Sequence, residues 1–265
     1  MSSVTYNIPV RLVSEYAGRS IIVRSADPSE IVRHLAGRDI DNVFYAQLLS
    51  ADVTPDAISE LANCDQHFAI DIVLNDPAAE FPLLYNFSKL LDRHPIRVSI
   101  PVRTGFVKAV KLALALELAV KINVGQPNPA LIEEMSEVLD LYLHRANVSQ
   151  PVEFFHSLFL AAYNEQPANI WMIQEEDPEH FVFVGDNGVE TVSPRFGDSL
   201  PYATGDVEIE CDTCKFLPIC GGYFKWPDRK YSCEGVKTIF ASIDTASSEL
   251  RENIASYNSM QEGAQ

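Results

Sequence analysis

Basic residues are scarce in this chain: 20 Lys and Arg stand against 37 Asp and Glu, a formal charge of −17. That balance excludes a phosphate-binding surface of the nucleic-acid kind, which needs a basic face, and it disfavours docking on anionic lipid. No segment approaches the roughly 20 apolar residues of a membrane-spanning helix. The first eighteen residues hold no unbroken apolar stretch of signal-peptide length, so the expectation is a cytoplasmic protein. Cysteine is sparse as well, five in 265 residues, too few for a disulfide scaffold. G-x-G-x-x-G, the P-loop, G-x-S-x-G and H-E-x-x-H are all absent, and the six histidines are dispersed, which gives no catalytic residue to assign.

What is present is a regular alternation. Apolar, β-branched runs at 20–24, 42–49, 68–74, 96–102 and 118–124 read as strands. Asp27-Pro28, Thr54-Pro55, Asp76-Pro77 and Asn128-Pro129 each set an N-cap oxygen before a proline at the first helical position. A strand and a helix about every 25 residues predict an α/β chain with a parallel sheet. Five to six such units make a partial (β/α) barrel, with an open doubly wound sheet as the competitor. Asp71, inside the third run, reads as a strand-end or solvent-facing residue.

Past residue 150 the pattern changes. The segment 151–163 reads as a helix, 170–174 and 181–185 as short strands, and Asp186-Asn187-Gly188 as a hairpin turn before 189–192. Residues 193–205 read as a loop, and 236–257 as a helix burying Val236, Ile239, Phe240 and Ile243. Trp171, Glu175, Glu176 and Asp177 read as a solvated strand end. A boundary near 165 divides the chain into 1–165 and 166–265.

Four of the five cysteines crowd into CDTCKFLPICGGYFKWPDRKYSC, spaced C-x2-C-x5-C-x12-C. A C-x2-C pair lets two thiolates converge on one metal from a tight turn, and Cys220 and Cys233 complete a set of four with Cys211 and Cys214. Gly221 and Gly222 follow Cys220, where backbone amides without a Cβ can point at sulfur. Lys215, Lys225, Arg229, Lys230 and Lys237 against Asp212, Asp228 and Glu234 give 5 − 3 = +2 locally, a wrapper suited to an anionic cluster. Only one C-x2-C knuckle is present, which suits an iron–sulfur cluster better than zinc, and zinc stays the alternative. Cys64 reads as an isolated thiol. Trp226 and Tyr223 read as shields of the metal site from water.

The run C-x2-C-x5-C-G-G, the later cysteine and the hairpin HFVFVGDNGVETV before it resemble the SPASM domain that ends many radical S-adenosylmethionine peptide maturases. The resemblance is specific over 180–240 and implies one auxiliary 4Fe–4S cluster on Cys211, Cys214, Cys220 and Cys233. Position 224 is Phe224, and no cysteine lies between Cys64 and Cys211, so a second cluster is not implied. The family also carries C-x3-C-x2-C after the first barrel strand, where this chain reads Ser25-Ala26-Asp27-Pro28-Ser29. Three thiolates are what bind and cleave the cofactor there, so the resemblance implies a pseudo-enzyme with no S-adenosylmethionine cluster. The expected role is an accessory protein in ribosomal peptide modification, in a hetero-oligomer with a radical enzyme or a precursor peptide. The alternatives are an enzyme using the cluster as a redox relay, and a zinc-stabilised peptide-binding module.

Overall fold

The computed structural model describes residues 4–145, 148–196 and 209–262. Its elements run β1 (Thr5–Pro9), β2 (Ser20–Ser25), α1 (Pro28–Leu35), β3 (Val43–Leu48), α2 (Pro55–Ala62), β4 (Ile70–Val73), α3 (Pro77–Glu80), β5 (Ile96–Pro101), α4 (Phe106–Ala115), β6 (Ala119–Asn123) and α5 (Pro129–His144). They continue as β7 (Val152–Glu153), α6 (Phe155–Tyr163), α7 (Ile170–Ile173), β8 (Phe181–Val184), β9 (Glu190–Thr191), α8 (Ile209–Asp212), α9 (Leu217–Cys220) and α10 (Glu234–Glu262). All four Pro-opened helices form, each with the preceding Asp, Thr or Asn side chain accepting backbone N–H bonds.

The chain is α/β, with one nine-stranded sheet in the order β7-β6-β5-β4-β3-β2-β1-β8-β9. Every pairing is parallel except the β8–β9 hairpin. From β1 to β7 the spatial order follows the sequence without reversal. Right-handed crossovers then put the connecting helices on one face of the sheet, and a doubly wound sheet would need a switch in strand order. Neighbouring helices pack in sequence along that face, α1 on α2 and α4 on α5. Ile21, Val23, Ala46, Leu48, Ile70, Ile72, Val98, Ile100, Val120 and Ile122 form one core with Ile31, Leu35, Ile58, Leu61, Phe106 and Val110 of the helices. Among the described residues no helix is long and apolar enough to cross a membrane.

Several expectations need correction. A first strand, β1, precedes the one expected at 20–24 and pairs with it along its length. The strand expected at 170–174 is instead the short helix α7 with Gln174 as its C-cap: Asn169 caps the start by accepting the Trp171 N–H at 2.9 Å. Residues 151–163 split into β7 and α6. The hairpin at 181–191 forms as expected, and β8 pairs with β1, so the sheet runs on past residue 165. Of the loop expected over 193–205, residues 194–196 make one 3-10 turn, and 197 onward lies outside the described residues. Helix α10 buries Val236, Ile239, Phe240 and Ile243 as expected, and packs on α6 and α5.

Candidate functional sites

Two sites lie on either side of the α7 segment, and each is built by residues distant in sequence. Cys211, Cys214, Cys220 and Cys233 line one pocket, joined by Phe216, Leu217, Phe224, Val236 and Phe240. The turn between α8 and α9 brings Cys211 and Cys214 together, with the Cys214 N–H donating to Cys211 O at 3.0 Å. Cys220 closes α9, and Cys233 stands just before α10. Gly221 and Gly222 both take left-handed φ, +55° and +75°. That turn aims the amides of Phe224, Gly222 and Tyr223 at the Cys220 sulfur.

Burial raises the pKa of Cys211 and Cys220 and pushes Cys233 up to about 11, with the other cysteines adding to the rise. Lys225 pulls in the opposite direction on Cys211 and Cys233. The basic wrapper is narrower than the sequence count suggested. Lys225 and Lys237 both donate to Glu210, at 2.6 and 2.8 Å, and this carboxylate was not in that count. Shielding also comes from different residues. Phe216, Phe224 and Phe240 cover the sulfurs, while Tyr223 turns its ring to the other site and Trp226 is not part of the pocket lining. Cys64 is a free, partly exposed thiol elsewhere, 3.8 Å from His94 Nε2.

The second site occupies the helix-free face of the sheet. Arg24, Gln47, Asp71 and Arg97 follow one another in register across β2 to β5. Asp71 is fully buried, which overturns the strand-end reading. It accepts from Ser99 Oγ at 2.8 and 3.0 Å, Arg97 Nη2 at 3.0 Å and Gln47 Nε2 at 3.1 Å. Glu175 is also drawn in rather than solvated. It accepts from Arg97 Nη1 at 3.0 Å, Lys121 Nζ at 2.6 Å and the Tyr45 hydroxyl. Trp171 and Asp177 are likewise buried, and Glu176 accepts from the Tyr223 hydroxyl at 2.9 Å.

The backbone shows why Glu175 is held there. Glu176 N–H donates to Trp171 O and Glu175 N–H to Met172 O, the Schellman pattern that ends α7. The residue after the C-cap in this motif is usually glycine, yet Glu175 sits at φ +59°, which costs an L-residue about 1 kcal/mol. The ion pairs of its carboxylate offset that strain. Burial alone would raise the Glu175 pKa, but Lys121, Arg97 and the hydrogen bonds hold it down at about 2. A depressed carboxylate stabilises the fold fully above its ordinary value of 4.5 and loses that contribution as pH falls from 4.5 toward 2. Glu175→Gln should therefore lower the urea midpoint at pH 7, and the gap from the native chain should narrow as the pH falls below 4.5 and close only as it approaches 2. A gap that stays constant with pH contradicts this role.

Tyr223 joins the two sites. Its amide points at Cys220, and its hydroxyl donates to Val124 O at 2.7 Å and to Glu176. Beside it, Trp171 donates Nε1–H to Gly221 O at 3.0 Å and packs edge-on against the Tyr223 ring at 4.7 Å. A Cβ at Gly221 would lie 3.1 Å from Trp171 Cδ1, a tight contact that the indole would have to yield to, and the +55° φ adds strain for any other residue. Gln126 ties the cysteine segment to the end of β6 through Phe224 O and Asp228 O.

Among the described residues, Asp177, Glu179 and His180 are the set of three His, Cys, Asp or Glu residues whose ligand atoms all lie within 4.8 Å of one another, and no three cysteine sulfurs do so. The Asp177 group is accounted for by structure: its carboxylate accepts from Glu179 N–H and Asn169 Nδ2, and it pairs with His180. No family model and no curated protein matches the chain.

Proposed function

We propose that this chain is an iron–sulfur protein of the SPASM type built on a partial (β/α) barrel, acting as an accessory in ribosomal peptide modification. The observation that carries the reading is the single pocket shared by Cys211, Cys214, Cys220 and Cys233. One feature of that pocket favours a 4Fe–4S cluster over zinc. Tetrahedral zinc with bonds near 2.3 Å needs its sulfurs ~3.8 Å apart, whereas no three of these lie even within 4.8 Å of one another. The amides at Cys220 and the ammonium groups of Lys225 and Lys237 offset the negative charge that any centre held by four thiolates carries, which supports a metal here without choosing between the two. The cluster would supply one-electron chemistry, or simply the covalent crosslink that holds this segment together.

The front of the sheet supports the accessory role. Neither the segment after β1 nor the one after β2 contains a cysteine. The second is closed by its own bonds: Ser25 Oγ donates to Glu30 at 2.8 Å and accepts from Asp27 N–H at 3.1 Å. A radical enzyme or a precursor peptide is the proposed partner. Reconstituted protein given S-adenosylmethionine and a strong reductant should release no 5′-deoxyadenosine. Release at a rate set by the protein concentration would make the chain a radical initiator in its own right and overturn the accessory reading.

A further inference from the structure

A basin of about 540 Å³ opens at the carboxyl-terminal ends of the parallel strands, where α/β sheets place their ligands. Its polar lining is not self-sufficient. Glu175 is neutralised by Lys121 and Arg97, and Glu176 lies 3.9 Å from Arg195 Nε. That leaves Arg103 exposed at the rim with no ion pair among the described residues; its nearest polar partner is Asn75 O at 3.5 Å. Arg195 is nine-tenths buried, and its Nε has no hydrogen-bond partner. The Asn123 side chain has no partner among the described residues.

These three groups are neighbours. Val102 N–H donates to Asn123 O at 3.2 Å, so Arg103 and Asn123 stand on adjacent strand ends, and Arg195 Nη1 donates to Val124 O at 3.4 Å. The lining carries Arg103, Lys121 and Arg195 against Glu175 and Glu176, 3 − 2 = +1, inside a chain of −17. A cationic basin in so acidic a protein favours a negatively charged occupant over the cations that the rest of the surface attracts. Ile22, Phe181 and Phe183 supply apolar surface to the same lining.

We propose that the basin binds a small organic anion, its carboxylate or phosphate held by Arg103, Asn123 and Arg195 and its apolar body resting on Phe181 and Phe183. The anion is either a free metabolite or the carboxylate end of a peptide, and the assignment does not rest on the cluster. The test is isothermal titration of the full chain with 3-phenylpropionate, phenyl phosphate and a short peptide ending in free phenylalanine, each beside a neutral counterpart: the propionamide, or the peptide amide. Quenching of Trp171, which packs on Tyr223 of the basin wall, gives a second readout. At least one anion should bind saturably and about tenfold or more tighter than its neutral counterpart, and Arg103→Gln should weaken it by a similar factor with an unchanged melting temperature. Binding of the peptide acid alone assigns the source to a peptide end, and binding of the free acids assigns it to a metabolite. The proposal fails if no anion binds at millimolar concentration, if the neutral counterparts bind equally well, or if Arg103→Gln leaves the affinity intact.

Discussion

Replacing Cys214 by serine is expected to strip the iron of the proposed cluster and to loosen the whole segment from α8 to the start of α10. Cys214 shares its pocket with the other three cysteines, and the elements that carry them are two single-turn helices and the entry to α10. Helices of four residues do not hold themselves together, so what fixes them is the packing of Phe216 and Phe224 on Phe240 and, in this account, the metal centre. Iron should fall from about four per chain to well below one, and the melting temperature should drop, because binding energy at such a site is folding energy. Cys64→Ser, distant from the pocket, should leave both unchanged. Full iron content in the Cys214 variant rejects it as a ligand.

Asp71→Ala is expected to be the most damaging substitution on the sheet. The carboxylate is fully buried and serves Ser99, Gln47 and Arg97 at once, while Arg97 stacks over the Tyr45 ring at 4.4 Å. Burial works against the Arg97 charge, and Asp71 and Glu175 together outweigh it. Removing Asp71 leaves that guanidinium with one partner and two polar side chains unsatisfied, a loss of about 3 kcal/mol by comparison with other broken buried pairs. A chemical denaturation series measures it. Asp71→Leu combined with Arg97→Met should recover part of the loss, because a matched apolar pair carries no desolvation cost. If alanine at 71 costs nothing, the ion network is ornamental to stability.

The outer half of the fold was legible because two local signals agree there. Polar caps before proline mark the helix starts, and apolar residues on one side of each strand mark the face that meets the helices. The helix-free face was harder to read, because its polar residues alternate with apolar ones just as a solvent-facing side of a strand does. Thr5 and Asn7 are buried polar residues in β1, which hides that strand in the sequence. Arg24, Gln47, Asp71, Arg97 and Lys121 each interrupt an apolar run, one per strand from β2 to β6, and taken together they announce a polar face. Asp71 considered alone looks like a strand end. Ile170–Ile173 reads as a strand for another reason: four β-branched and large apolar residues suit a strand as well as a helix, and the Asn169 cap is what decides for the helix.

The convergence of the four cysteines on one pocket was readable from spacing, as was the glycine turn that lets amides reach Cys220. The connections of that pocket were not. Gln126, Trp171 and Glu210 each meet the cysteine segment from elsewhere in the chain or just ahead of it, and none carries a local pattern that announces the contact. Tyr223 was expected to face the sulfurs, and its ring instead lines the basin, since Val124 O and Glu176 offer its hydroxyl the partners that a buried phenol requires.

Anaerobic purification followed by metal and acid-labile sulfide analysis addresses the centre most directly. About four irons and four sulfides per chain, with visible absorption that bleaches on reduction, is the result expected of one cluster on four thiolates. A colourless protein carrying one tightly held zinc, or none at all with its thiols freely titratable, contradicts it.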